Sequence, residues 1–206
     1  MTQRFISAIS VSYTLLLITS CGNKNHEQVE ESMLQSTAGK PSAAVVGVSK
    51  ATELSKNVKA FLDVIAYAEG THGSYNISYG GASFSGFGDH PRKWRGSPWG
   101  TPGVGSDAAG RYQFKSTSWD EARSKKGLRD FSPQNQDKAA VYLIERNGKS
   151  TLENVKNAHD KSRFIQALTA LSHTWASFPP QRYKNQKVKK ADELWAVFQK
   201  ALDAYK

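Results

Sequence analysis

From position 57 onward the chain alternates between segments with an apolar stripe at helical spacing and segments with none. Residues 57–69 place Val58, Phe61, Leu62, Val64 and Ile65 in one arc at about 100° per residue, which predicts an amphipathic helix with one buried face. Strand-like runs follow at 75–79 and 82–85. Gly80-Gly81 lies between them and can supply the positive φ angles of a two-residue turn, so the pattern predicts a hairpin. Residues 88–110 are rich in Gly and Pro and predict a long loop, a kind of segment that is usually functional inside a folded domain. Ser118 and Glu121 have the spacing of a capping box that opens a helix to Lys126. Ser132-Pro133 reads as an N-cap with Pro in the first helical position, starting a helix to Arg146. Helical periods recur over 163–176 and 187–205. Many helices and one small sheet give the expected fold class, α+β.

The first 56 residues follow a different pattern. Arg4 is followed by an apolar run, Phe5 to Ile18, too short to span a bilayer, and then by Ile18-Thr19-Ser20-Cys21. An aliphatic residue, two small residues and a cysteine resemble the lipobox of bacterial lipoproteins. That resemblance implies a signal peptide over 1–20, cleavage before Cys21, and a lipid on its thiol that ties the protein to a membrane. Gly22 is not the Asp that retains enterobacterial lipoproteins at the inner membrane, so the expected location in a Gram-negative host is the periplasmic face of the outer membrane. Residues 21–56 are polar and lack a sustained period, which reads as a flexible tether that leads to a domain over 57–206.

The chain has 206 residues, a formal net charge of +10 and one cysteine, so an internal disulfide framework and a cysteine-based zinc site are excluded. Of this charge, 23 basic and 14 acidic residues fall within 57–206. Such an excess favours an anionic partner: nucleic acid, a membrane surface or an acidic polymer. An exported protein seldom meets nucleic acid, so that partner is set aside. His72, His90 and His173 are scattered without ligand spacing, so no metal is expected, and no phosphate loop or dinucleotide fingerprint calls for a cofactor.

One carboxylate stands out. On the first helix Glu69 lies about 20° from Val58 and Leu62 and about 40° from Ile65, in the middle of the apolar stripe and at its C-terminal end. Desolvation and the negative end of the helix dipole both raise the pKa of such a group, which makes it a candidate general acid. Periodicity alone leaves open a frayed helix end or an ion pair with an arginine.

The residues around it resemble a known family. Residues 59–71, with Ala68-Glu69-Gly70-Thr71 at their end, are similar to the catalytic helix of the bacteriophage lambda endolysin family. The resemblance continues in order through Gly80-Gly81, Asp89-His90-Pro91-Arg92-Lys93, Ala109-Gly110-Arg111-Tyr112-Gln113, Gly127-Leu128-Arg129-Asp130-Phe131-Ser132-Pro133 and Trp175-Ala176-Ser177-Phe178-Pro179. It implies a lysozyme-like α+β fold lining a cleft, and peptidoglycan glycan strands as substrate. It also implies a lytic transglycosylase reaction at the MurNAc–GlcNAc bond, with Glu69 as acid and base and 1,6-anhydroMurNAc as product. Gln113 and Tyr112 correspond to a cleft strand of the family and are expected to touch glycan, as is Tyr183. Tyr75 and Asp89 are expected beside the cleft. Asn76 stands where the lambda endolysin has Asp. Trp94 and Trp99 could stack on sugars or pack as a lid.

Two other activities stay open at this point: a glycan-binding module that has lost catalysis, and a water-using muramidase with Asp89 or Asp107 as its second carboxylate. The biological task, including service to a larger machine of the cell envelope, is not encoded in these motifs.

Overall fold

A computed structural model describes residues 53–96, 105–184 and 186–205. The signal, the lipobox Cys21 and nearly all of the tether lie outside the described residues, as does Trp99. Six helices carry about half of the described residues: α1 (Lys56–Ala68), α2 (Ser116–Lys126), α3 (Pro133–Arg146), α4 (Lys149–Lys156), α5 (Lys161–Leu171) and α6 (Ala191–Ala204). Two short antiparallel strands, β1 (Arg95–Gly96) and β2 (Gly105–Ser106), pair Arg95 with Ser106 and Gly96 with Gly105. This is a mainly helical α+β fold, as the pattern predicts, but its strand pair joins Arg95–Gly96 to Gly105–Ser106 and does not lie in the 75–85 segment.

The stripe of α1 is buried as expected. Phe61, Val64 and Ile65 are inaccessible to solvent, and Val58 and Leu62 nearly so. The helix starts at Ser55, whose hydroxyl accepts from the Val58 N–H, a satisfied N-cap. It packs against α6, α4 and α3. Phe61 meets Phe164 of α5 and Phe178 edge to face, and Phe164 in turn meets Trp195 and Phe198 of α6. A second aromatic group, Phe114, Trp119 and Phe131, fills the space under α2, with ring centroids 4.7–6.4 Å apart.

Several boundaries differ from the sequence pattern, each for a local reason. α2 begins at Ser116, not Ser118, with Lys115 at the N-cap and no side-chain cap. The expected capping box does not form, because the Glu121 carboxylate is taken by Tyr142 and Arg146 on α3. Helix α3 does start at Pro133 behind Ser132. Helix α5 begins earlier than expected, since the Asp160 side chain accepts from Ser162 N at 2.8 Å, and it stops at Leu171. The chain then turns, and Trp175 Nε1 donates to Tyr112 O at 3.0 Å. α4 had no stripe long enough to be read, and α6 is shorter than its apolar period.

The expected hairpin is reduced to one antiparallel bridge, Ile77 with Ser83, across a turn in which Gly80 and Gly81 take positive φ. Single bridges also join Ser78 to Ala109 and Ala109 to Phe114. The 88–110 loop is therefore not wholly irregular. It holds β1 and β2, and its return limb is stitched to the 77–79 segment through Tyr79 N to Ala108 O (2.7 Å) and Gly110 N to Ile77 O (2.8 Å).

Candidate active site

The end of α1 is closed by a pair of backbone hydrogen bonds. Gly70 N donates to Tyr67 O and Thr71 N to Ala66 O, each at 3.1 Å, which is the Schellman arrangement. It requires a left-handed residue after the cap, and Gly70 has φ +69°. The cap itself is Glu69. Thr71 Oγ1 also donates to Arg111 O at 2.8 Å, so the turn after Glu69 is tied to the 110–113 turn across the molecule.

Glu69 opens into a cleft of about 440 Å³. Its residue keeps a partly exposed edge there, while its carboxyl group is enclosed. Burial pushes the pKa up to about 7, and the hydrogen bond donated by Ser177 Oγ to Oε1, at 2.6 Å, works against that rise. No arginine or lysine among the described residues pairs with it, so the ion-pair alternative does not hold. A carboxyl half-protonated near neutral pH can give a proton and take one back.

Gln113 also lines the cleft. Its amide nitrogen donates to Ile77 O and Gly110 O, both at 3.0 Å, which fixes the amide orientation and leaves Oε1 without a partner among the described residues. Tyr183 lines the same cleft, 47% exposed, its hydroxyl 3.3 Å from His173 O.

Three expected contacts are placed differently. Tyr112 borders the cleft but has no accessible surface, and its hydroxyl donates to Asp137 at 2.6 Å. It belongs to the core, where burial raises its pKa. Tyr75 does not line the cleft; its hydroxyl donates to Asp137 Oδ1 at 2.9 Å and accepts from Arg111 Nη1 at 2.7 Å. Asp89 is likewise absent from the lining. It accepts from Trp119 Nε1 at 2.8 Å and pairs with Arg92 and Arg123. Asp107 accepts from Ser116 N at 3.3 Å, at the start of α2. Among the described residues the Asn76 side chain reaches only Phe84 O, at 3.4 Å. Among the described residues, Glu69 is therefore the only carboxylate lining the cleft, and residues 97–104 contain no Asp or Glu.

His90 is a structural residue. It is buried, with Nε2 donating to Phe114 O at 2.8 Å and Nδ1 accepting from Arg92 N at 3.1 Å. No cluster of three potential metal ligands occurs among the described residues. Ser177 is the contact that sequence reasoning passed over. It was visible only as part of a motif, and nothing in its spacing from Glu69, 108 residues away, signals their meeting.

A model of the endolysin family matches residues 59–204. The endolysin of Escherichia phage lambda is 38% identical over 158 residues, which cover 72% of this chain and 93% of that protein. The endolysin of Escherichia phage P2 is 30% identical over 157 residues, covering 68% of this chain and 91% of its own. A solved structure of bacteriophage lambda lysozyme complexed with a chitohexasaccharide has a TM-score of 0.64 at 38% identity, covering 72% of this chain and 96% of its own.

Proposed function

Given that this chain belongs to the endolysin family and is a lysozyme-like glycosidase, we propose that it cuts peptidoglycan glycan strands at the MurNAc–GlcNAc bond as a lytic transglycosylase. The observation that carries this reading is that, among the described residues, Glu69 is the only carboxylate lining the cleft. Two-carboxylate glycosidases need a second acid to act as nucleophile or to activate water. Here both rivals for that role, Asp89 and Asp107, are committed elsewhere.

In this mechanism the Glu69 carboxyl protonates the glycosidic oxygen as its bond to C1 breaks. The Ser177 hydroxyl occupies Oε1, which leaves Oε2 to carry the proton. The carboxylate then takes the proton of the C6 hydroxyl as that oxygen bonds to C1, closing a 1,6-anhydro ring. One group serves both steps and no water is consumed. Attack within one ring has the high effective concentration of an intramolecular reaction. Gln113 Oε1 and Tyr183 are the proposed glycan contacts.

The second reading, a muramidase that uses water, is favoured by the name lysozyme borne by the solved relative. Digestion of murein in heavy-oxygen water separates the two. The transglycosylase gives unlabelled products one water lighter than hydrolysed ones, whereas label at the new end establishes the muramidase. We propose further that the Cys21 thiol carries a lipid that holds the domain at the periplasmic face of an outer membrane, supported by the Ile18-Thr19-Ser20-Cys21 pattern. Cys21→Ser should leave the protein unprocessed or detached from membranes, read by fractionation.

A further inference from the structure

The cleft carries two cations that the chemistry at Glu69 does not use. Lys115, the residue before α2, lines the cleft and is exposed. Its ammonium has no hydrogen-bond or ion-pair partner among the described residues, so its charge is uncompensated. Arg146, at the end of α3, lines the same cleft. Its Nη1 is bonded to Glu121, which also accepts from Tyr142 Oη at 2.8 Å. That bond engages one nitrogen of the guanidinium, and its other N–H donors have no partner among the described residues.

The two cations are complementary. A lysine offers a mobile point charge and an arginine held by one nitrogen offers a pre-oriented fork, the geometry suited to a carboxylate. Against them the lining has one acidic group, Glu69, and that group starts the reaction protonated. In the reactive state the described lining therefore holds the unpaired Lys115 ammonium and the Glu121-paired Arg146 guanidinium, and no anion. An uncharged glycan would leave this charge unused, whereas an acidic one would be drawn in and oriented by it.

We infer that Lys115 and Arg146 form a carboxylate subsite that takes the acidic substituent on the muramic acid residues of the glycan. This rests on the substrate reading given above. The carboxylate can be that of the lactyl group itself or one carried by an attached peptide; the chemistry of recognition is the same.

The test uses the full chain carrying Glu69→Gln, which binds without turnover, and soluble glycan chains released from murein. One set bears peptides and the other is stripped to the free lactyl carboxylate. Each set is also used after carbodiimide amidation, which removes the charge and keeps the backbone. Calorimetry should give a Kd about tenfold lower for charged than for amidated chains. Preference only in the stripped set identifies the lactyl carboxylate, preference only in the peptide-bearing set identifies a peptide carboxylate, and preference in both shows that the subsite takes either. Lys115→Gln with Arg146→Gln should bring the charged-to-amidated ratio near one, while Lys115→Arg should keep it. High salt should shrink the ratio.

A ratio unchanged in the double variant overturns the subsite, as does its loss in Lys115→Arg. No measurable binding of any chain overturns both the subsite and the substrate reading. Absence of cleavage by the unsubstituted protein, with the binding ratio intact, overturns the cleavage reading alone.

Discussion

The helical body behind Glu69 and the turn-rich segment 75–115 are held by different forces. In the body, Phe61, Phe164, Phe178 and Phe198 are all fully buried, and they pack ring against ring with α1, α5 and α6. Its stability is a sum of apolar burial, spread over many contacts. Among its described residues the 75–115 segment has one two-residue strand pair and single bridges, and side chains supply what these ladders do not. The fully buried Gln136 accepts from Arg111 N at 2.9 Å and donates to Tyr75 O (3.0 Å) and Phe131 O (2.8 Å). Around it run His90, the Tyr75–Asp137–Tyr112 hydroxyl network and the Arg111–Asp63 pair. Gly110 sits so close that an added Cβ would lie 2.3 Å from Gln136 Oε1. Apolar packing tolerates exchange among residues of similar volume. A directional network does not, because each lost donor strands its partner.

Glu69 sits where the two regions meet, and its substitution should have the largest effect. Glu69→Gln is expected to reduce muropeptide release on the order of 10²–10⁴-fold, the range for loss of a general acid. Its stability should move the other way. A buried carboxyl with its folded pKa near 7 binds more protons folded than unfolded between the usual carboxylate range and pH 7. Through this group the unsubstituted protein therefore loses stability as pH rises through that window, by at most about 3 kcal/mol, and this contribution is flat above it. Urea unfolding at pH 4 and pH 8 should show the variant gaining relative stability only at the higher pH.

The next largest effect tests the helical body. Phe164→Ala should cost about 3–5 kcal/mol in denaturant unfolding, since the ring touches Phe61, Trp195 and Phe198. The products of cleavage should be unchanged at temperatures where the variant is folded. Gln136→Leu makes the contrasting test. It keeps the volume but leaves Arg111 N–H and two carbonyls without their partner, and about 2–3 kcal/mol should be lost. Hydrogen exchange should quicken at residues 75–114 while the amides of α1 and α5 stay protected. Equal loosening of both regions would break the comparison.

The smallest effect is expected at Ser177. Its hydroxyl stabilises the charged form of Glu69, so Ser177→Ala should move the alkaline limb of the activity profile upward from about pH 7. The rate at the optimum should fall roughly three- to tenfold as the carboxyl loses its orienting bond. A downward shift would contradict the assignment of that hydrogen bond.

The periodicity of residues 57–69 was enough to place Glu69 on the buried face and to end the helix at Gly70, because both follow from 3.6 residues per turn and one backbone angle. Ser132-Pro133 marked the start of α3 for the same local reason. The pattern of many helices and one small sheet carried the fold class, and the motif resemblance carried the family. The limits of local reading show at Glu121, whose cap spacing was overridden by a tyrosine and an arginine 21 and 25 residues on. Tyr75, Tyr112 and Asp89 show the same limit. Their types suit sugar contacts, but in the folded chain Asp137, Arg92 and Trp119 hold their polar atoms. Ser177 is marked only by the motif it stands in, and Lys115 and Arg146 by nothing local; the folding of α2, α3 and the turn after α5 brings Ser177 to Glu69 and the two cations to the same cleft. A helix records its own periodicity within a dozen residues. The partner of a polar side chain is chosen by whichever donor or acceptor the packed core leaves within about 3 Å, and that choice is made only in three dimensions.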